Sequence, residues 1–290
     1  QGKPISKVKV EKCNKNLKGT EITFYPDKEI FENIDFSPNK LYSFIKMKAV
    51  LVKGTKISFS VDKSLIKDKT TNQDIFLYPK GVVDFFKENF EKKQKIIKND
   101  FHCSIDLNLK EKFEVYVSFN EMEKSSLMSF CNTIETPDGG SHENAMKNSI
   151  LKAVKIFGQK NQLTKSANIS QNDIFDFSDA FISIFISDPS FEGQTKKRIA
   201  MPKIQKKLEE VIQNQYLLWL NSNKKQSIIL IENLIERSLL RTDLNKFKEL
   251  ERKTVKEKNR LPGKLVDCSS RNIENTELFI VEGDSAGGSA

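Results

Sequence analysis

The segment Ala180–Asp188 constrains the fold more than any other stretch of this 290-residue chain. It reads Ala-Phe-Ile-Ser-Ile-Phe-Ile-Ser-Asp and is apolar almost throughout, and Pro189 ends it. A strand with apolar side chains on both faces is buried on both faces. The segment therefore predicts a central strand in a sheet that other elements cover.

Alternating and helical patterns lie on both sides of this segment. Alternation of apolar residues predicts strands at 101–109, 113–119 and 126–132, of which the first two form a hairpin. Apolar residues three and four positions apart predict helices at about 143–158, 202–220 and 225–259. Together these patterns predict an α+β fold class with a mixed sheet.

The last predicted helix changes character along its length. Its first half carries apolar residues such as Ile228, Ile231 and Leu234, whereas its second half, from Lys246 to Lys258, is mostly charged. A helix that leaves its core in this way bridges domains or contacts a charged partner. Two roles remain open for this helix: a lever between domains and a DNA-facing surface. The surface would be lined by lysines and by Arg237, Arg241 and Arg252.

The first part of the chain has shorter patterned segments. Alternation predicts strands at Val8–Val10, Glu21–Tyr25 and 55–61, a short strand at 76–78, and helical spacing predicts helices at 41–51 and 81–90. A polar, Lys-rich stretch at 91–100 predicts a domain connection. Gly19-Thr20 ahead of a strand is, taken alone, a common turn.

The segment Thr136–Glu143 contains a tight Pro- and Gly-rich loop before a helix. Ser141 is predicted to be the N-cap of that helix, which Gly158 would close. A Gly-Gly-Ser loop ahead of a helix can also cradle a phosphate. Because the segment lacks the P-loop spacing, the N-cap is the favoured interpretation.

Net charge and cysteine content limit which partners and which cellular compartment the sequence favours. The formal net charge is +9, carried mostly by lysines scattered among acidic residues, which by itself favours a nucleic-acid partner only weakly. Every arginine lies in the last third of the chain, a more suggestive asymmetry. The four cysteines show no metal-ligand spacing and predict neither a structural zinc nor a disulfide framework. Reduced thiols in a cytoplasmic protein fit this pattern, and neither a membrane span nor a signal peptide is predicted.

Residues 191–199 predict an exposed loop after the central strand. Gln194, Lys196, Lys197 and Arg198 project from it in this interpretation. A lysine on such a loop is usually solvated surface, so the residues alone assign it no ligand.

The final stretch, 277–290, pairs a short apolar segment with an acidic turn. Residues 278–281 predict a buried strand, Glu282 stands at its carboxyl end, and a Gly- and Ser-rich turn follows. Open α/β sheets place their chemistry at such strand ends. A carboxylate there suits Mg²⁺, although a solvated acidic turn is the alternative.

Four sequence blocks, taken together, resemble a known family. They are Gly19-Thr20, Gly139-Gly140-Ser141-His142, Gly193-Gln194-Thr195-Lys196 and Glu282-Gly283-Asp284. In content, order and interval they resemble the B subunits of bacterial type IIA DNA topoisomerases. Residues 261–268 and 277–290 are also similar, almost without gaps, to the opening of the TOPRIM domain of that family.

The resemblance implies a division of the chain and a set of site residues. Residues 1–95 would end a GHKL ATPase sandwich, 96–265 would form a transducer domain with a ribosomal-protein-like sheet and a long helix, and 266–290 would start TOPRIM. Thr20 would lie near the adenine, Lys196 would contact the γ-phosphate of ATP with Gln194 beside it, and the Gly-Gly-Ser-His block would bind no ligand. Glu282 would be a Mg²⁺ ligand that acts in DNA cleavage and religation.

The resemblance further implies an activity and partners. The family consists of ATP-dependent DNA topoisomerases, whose B subunits dimerise on binding ATP and join A-type subunits in an A2B2 heterotetramer on DNA. The topoisomerase IV branch fits better than the gyrase branch, on residues 46–51, 219–223 and 267–270. The ATPase residues that act on ATP would precede Gln1 and the cleaving tyrosine belongs to the A-type subunit, so the 290 residues alone are expected to be inactive. The alternative is a non-catalytic nucleic-acid-binding or scaffold fragment whose motifs serve only the fold.

Overall fold

The computed structural model describes residues 6–12, 18–108, 111–122, 125–258, 277–278 and 280, with the backbone alone for 247–258. The chain divides into two compact units. Unit 1 extends to Leu77, and unit 2 begins at Tyr78. None of the described helices is both long enough and apolar enough to cross a membrane.

Unit 1 is built on one helix and one hairpin among its described residues. Helix α1 (Pro38–Leu51) precedes strands β1 (Ile57–Ser60) and β2 (Gln73–Phe76), which pair antiparallel. The ring of Tyr42 lies edge-on to Phe59 and Phe76, with ring centroids 5.5 and 5.0 Å away. These contacts hold the helix on the hairpin. The predicted helix is confirmed, but the apolar spacing did not predict its contact face, because Leu41 and Phe44 are exposed.

Two strands predicted in unit 1 are absent from the structure. Residues 8–10 and 21–25 form no strand, and their apolar side chains are exposed, Val10 at 93% and Ile22 at 80%. Alternation stabilises a strand only where a neighbouring strand pairs with it and a core receives its apolar face. No described strand pairs with either segment.

Unit 2 contains a five-stranded sheet among its described residues. Its strands are β3 (Phe101–Asp106), β4 (Lys112–Phe119), β5 (Ser126–Cys131), β6 (Ile134–Glu135) and β7 (Ser178–Phe185). The spatial order is β3-β4-β7-β5-β6, with β7 antiparallel to β4 and parallel to β5. The predicted central strand is therefore confirmed, and the sheet is mixed.

Five α-helices belong to unit 2 among its described residues, and they pack on the sheet or on one another as their apolar faces require. They are α2 (Val82–Phe90), α3 (Ser141–Lys160), α4 (Gln171–Phe175), α5 (Pro202–Ser222) and α6 (Lys224–Lys258). The core combines Val115 and Ile182 of the sheet with Ile150 of α3 and Ile212 of α5, all of them fully buried. Gly158 does not end α3, because the helix continues to Lys160. A Cβ at Gly158 would lie 2.2 Å from Ser166 Oγ, so that glycine allows a close approach inside the helix.

Helix α2 belongs to unit 2. The ring of Phe86 lies 4.2 Å, centroid to centroid, from Tyr116 on β4. Since this packing joins α2 to the sheet, the division between the units falls before the helix. The boundaries predicted at 95/96 and 265/266 stay predictions.

The first half of α6 is tied to unit 2 by two arginines. The Arg237 guanidinium lies 3.6 Å from the centroid of the Phe177 ring, and its Nη2 donates to the carbonyl of Asn120 at 2.9 Å. Arg241 donates to both carboxylate oxygens of Asp173, at 2.9 and 3.1 Å. Both arginines therefore make contacts within unit 2, and a DNA-facing surface on this helix stays a prediction. The side chain of Arg252 lies outside the described residues.

Candidate functional site

The predicted nucleotide-contacting residues of unit 2 lie on a short hairpin between β7 and α5. The amide of Glu192 donates to the carbonyl of Arg198 at 2.9 Å, and the amide of Ala200 donates to the carbonyl of Ser190 at 3.0 Å. Phe191 and Ile199 form an antiparallel bridge between these two bonds. Residues 193–197 are therefore the tip of a hairpin with a hydrogen-bonded base.

The tip presents Gln194 and Lys196 to solvent. Both residues are exposed, and neither side chain has a hydrogen-bond or ion-pair partner among the described residues. Lys196 has φ +55°, a left-handed conformation that is uncommon for a residue with a Cβ and costs about 1–2 kcal/mol. An unpaired ammonium group on a strained backbone is thus held at the tip.

The base of the hairpin is fixed against the turn Asp138–His142. The amide of Ile199 donates to the carbonyl of Gly139 at 3.1 Å, and the amide of Ser141 donates back to the carbonyl of Ile199 at 3.0 Å. A Cβ at Gly140 would lie 2.3 Å from the Ile199 carbonyl oxygen, and Gly140 has φ +132°. Glycine is therefore required here because the backbone of Ile199 occupies the space.

Ser141 is not the N-cap that the sequence predicts. Helix α3 begins at Ser141 itself, the N-cap is Gly140, and no side-chain cap bond forms. The Ser141 hydroxyl instead accepts the amide of Met201 at 2.8 Å. The sequence could not show this, because Met201 lies 60 residues away along the chain.

His142 fixes the other end of the turn to the sheet. Its Nε2 lies 2.6 Å from Ser129 Oγ on β5 and 3.3 Å from Thr136 Oγ1. Burial lowers the pKa of His142 to about 4, so the imidazole is neutral at physiological pH. The Gly-Gly-Ser-His block is therefore a buried anchor, and the turn holds no open phosphate cradle.

Thr20 belongs to unit 1, whereas Gln194 and Lys196 belong to unit 2, and the structure describes each unit by itself. Thr20 is exposed, with no regular secondary structure at 18–26. Gln194 and Lys196 are thus brought together on one hairpin tip. The predicted proximity of Thr20 to an adenine stays a prediction.

Glu282 lies outside the described residues. Leu278 and Ile280, which are described, are 86% and 90% exposed and belong to no strand, so the buried strand predicted at 278–281 is not seen at these positions. They find no partner strand in the described part of the chain, and a strand needs one for burial. Among the described residues, no group of three or more His, Cys, Asp or Glu could hold a metal ion.

The described cysteines fit the prediction of reduced thiols. Cys103 and Cys131 are free and buried. Burial raises the pKa of each thiol to about 11, and the charge of Glu114 adds to the effect at Cys103. Both thiols are therefore protonated at neutral pH and poorly reactive.

Comparison with known families shows which family the chain belongs to. The family model for DNA gyrase B matches residues 81–250, which is more than half of the sequence. The chain belongs to the DNA gyrase B family. It is thus a B-subunit chain of the type IIA topoisomerases, as the four motif blocks predict.

Individual members of the gyrase B family show the same relation. The chain is 35% identical to the B subunit of DNA topoisomerase 4 from Rickettsia conorii, over the full length of this chain and 44% of that protein. It is 35% identical to the corresponding protein of Caulobacter vibrioides, over its full length and 42% of that protein. It is 31% identical to the B subunit of DNA gyrase from Clostridium acetobutylicum, over 94% of this chain and 42% of that protein. The chain therefore spans less than half the length of these relatives.

Solved structures of the gyrase B family share the fold. The topoisomerase IV ATP-binding domain of Francisella tularensis, solved with a small-molecule inhibitor, has a TM-score of 0.62 at 23% identity, over 75% of this chain and 57% of that one. The 43K ATPase domain of Thermus thermophilus gyrase B, solved with an aminocoumarin, has a TM-score of 0.61 at 24% identity, over 78% and 59%. The predicted α+β fold class is confirmed by these neighbours.

Proposed function

We propose that this chain is part of the B subunit of an ATP-dependent type II DNA topoisomerase, and that Lys196 senses the terminal phosphate of bound ATP. The observation that carries the proposal is the hairpin 190–200, whose exposed tip bears Lys196 without an intramolecular partner among the described residues. An ammonium group on a four-carbon stem offers three donors to a phosphate. Gln194, two residues away on the same tip, would add a neutral donor.

The position of the hairpin supports a signalling role for this contact. Residues 199–201 lead directly from the hairpin into α5, which is followed by the 35-residue helix α6. Hydrolysis removes the anion that Lys196 would bind, so the hairpin would be held in one nucleotide state and released in the other. A shift at the hairpin base would reach α5 without an intervening flexible segment.

The remaining parts of the proposed activity rest on family membership. DNA would be the substrate, an A-type subunit would complete an A2B2 heterotetramer, and a second B subunit would join on ATP binding in the cytoplasm. Thr20 would contribute to the adenine site. The identity of 35% with topoisomerase IV subunits, against 31% with a gyrase subunit, favours relaxation and decatenation over supercoiling.

Glu282 would supply a carboxylate ligand to Mg²⁺. Carboxylate oxygens suit this hard cation, which usually takes one or two of them from a protein. When bound, the ion would neutralise negative charge next to the DNA backbone. In the complete enzyme, E282A should abolish Mg²⁺-dependent cleavage and leave ATP-analogue binding unchanged, while the nearby E277A should cleave normally. Normal cleavage by E282A would refute this role.

The experiment that tests the role of Lys196 compares substitutions of two neighbouring lysines. Both are made in the complete subunit, which is assayed together with its A-type partner. K196A should lose ATP-driven strand passage while retaining DNA binding, because only one of the 48 basic residues is removed. K197A is the matched control, since it removes an equal charge from the adjacent exposed position. Normal relaxation by K196A would refute the phosphate-sensing role, whereas a wild-type complex that relaxes no DNA would favour a non-catalytic scaffold.

A further inference from the structure

The junction between the Lys196 hairpin and α5 is held by backbone hydrogen bonds and by one buried hydroxyl. Ser141 Oγ accepts the amide of Met201 at 2.8 Å and lies 3.4 Å from the carbonyl oxygen of Ile199, to which it donates. Met201 immediately precedes Pro202, the first residue of α5. One side chain therefore binds the backbone at both ends of the three-residue link.

Ser141 is itself held rigidly. It is only 7% exposed, and its own amide donates to the Ile199 carbonyl at 3.0 Å. The next residue, His142, is fully buried and bonded to Ser129 of β5 at 2.6 Å. The hydroxyl thus connects the hairpin base to the central sheet, and a rigid support of this kind is what a precisely placed ligand contact requires.

Two other roles for Ser141 do not fit its contacts. It makes no capping bond to α3, so it does not serve the helix terminus. Its oxygen is bonded to Met201, and the backbone of Ile199 fills the space beside Gly140, so the turn offers no room for a phosphate. What the contacts do fix is the direction in which residues 199–201 leave the hairpin.

We propose that Ser141 is a positioning residue for Lys196: its hydroxyl holds the hairpin base so that the lysine reaches the terminal phosphate of ATP. This inference rests on the proposed function of Lys196. Loss of the hydroxyl leaves the Met201 amide without its acceptor. Only backbone bonds, such as those between Ile199 and the turn, then hold residues 199–201, so the direction of this link can shift. The positioned arrangement then becomes a minor state, and affinity falls in proportion to its population.

The test measures nucleotide selectivity in the complete subunit. S141A should bind a non-hydrolysable ATP analogue roughly tenfold more weakly, the effect expected from an unsatisfied buried amide. ADP lacks the terminal phosphate, so its affinity should not change. S141T retains the hydroxyl and should restore the selectivity. S141C keeps the volume but accepts weakly, so it should lie between the two and serves if S141A does not fold.

The matched control is Ser149, another fully buried serine on α3. Its hydroxyl bonds to carbonyls of Ala145 and Glu209, away from the hairpin. S149A should leave the ratio of ATP-analogue to ADP affinity at the wild-type value. Tryptic cleavage after Lys196 and Lys197 should accelerate in S141A and not in S149A, which reports the hairpin without any nucleotide.

A double variant separates failure of this inference from failure of the proposed function. S141A/K196A should show no further loss of selectivity beyond K196A alone, because the hydroxyl acts through the lysine. If K196A keeps wild-type selectivity, the proposed function is wrong. If K196A loses selectivity and S141A does not, only the positioning role is overturned. Equal weakening of ADP and the analogue by S141A would show a purely structural serine.

Discussion

The buried turn 138–142 and the exposed hairpin tip 193–197 look alike in sequence and differ in structure. Each contains a glycine followed by polar residues, a composition that can also surround a phosphate. A Cβ at Gly140 would meet the backbone of Ile199 at 2.3 Å, whereas a Cβ at Gly193 would meet nothing within 4 Å. The first glycine serves a close approach, and the second serves only its local conformation.

The two segments also differ in burial and in hydrogen bonding. His142 is fully buried, and Ser141 nearly so, and the Nε2 of His142 and the hydroxyl of Ser141 are hydrogen-bonded within the protein. Lys196 is exposed and has no partner among the described residues. In the proposed function the tip responds to a ligand, and a rigid turn fixes its base. Variants that damage the turn and the tip should therefore have different effects.

The largest difference is expected between two glycine-to-alanine variants. G140A forces a side chain against the Ile199 backbone at a φ of +132°, and should lower the free energy of unfolding by about 4 kcal/mol. G193A meets no neighbour and has only the strain of a φ of +78°, about 1 kcal/mol. Urea denaturation of both variants measures the two values. Equal losses would show that the turn is not close-packed.

A pH effect of about 3 kcal/mol is expected from His142, because its folded-state pKa of about 4 lies below the unfolded value of 6.5. The unfolded state binds the extra proton between these values. The stability contributed by the neutral imidazole is thus fully present above pH 6.5 and is lost as the pH falls towards 4. Urea titrations across this window should show the loss in the wild type and a smaller one in H142Q. An identical pH dependence in the two proteins would refute the buried neutral histidine.

A partly buried ion pair and an exposed ion pair should also differ in how much each stabilises the fold. Burial alone would raise the pKa of Asp173, yet hydrogen bonds from Arg241 and Ser170 hold it below its ordinary value. R241M leaves that buried carboxylate without its partner and should cost about 2 kcal/mol. The Arg198–Glu192 pair at the hairpin is solvent-exposed, so R198M should cost less than about 0.5 kcal/mol. Thermal or urea unfolding of R241M, R198M and the wild type compares the two directly, and a larger loss in R198M would contradict the assignment.

The elements that sequence patterns predicted well are those with long periodic segments. The central strand β7 and the helices α3, α5 and α6 each carry enough apolar residues to specify both type and position. The short alternations at Val8–Val10 and Glu21–Tyr25 failed because a strand depends on a pairing partner that the local sequence does not reveal.

The candidate site was only partly predictable for the same reason. The exposed loop with Gln194 and Lys196 was correctly placed, since its polar composition is a local property. The anchoring of that loop depends on contacts between residues about 60 positions apart, such as Ser141 with Met201. The pairing of Arg241 with Asp173, 68 residues away, could likewise not be predicted from the sequence. Long-range pairing of this kind has no signature in a single sequence.

The proposal that the hairpin tip responds to the terminal phosphate is tested most directly by amide hydrogen exchange across residues 190–201 of the complete subunit. The exchange is measured without nucleotide, with ADP and with a non-hydrolysable ATP analogue. The bonded amides of Glu192, Ile199 and Ala200 should exchange slowly in all three states. The amides of 193–197 should exchange rapidly without nucleotide and with ADP, and become protected only with the analogue. Equal protection by ADP and the analogue, or no protection by either, would contradict a tip that reads the terminal phosphate.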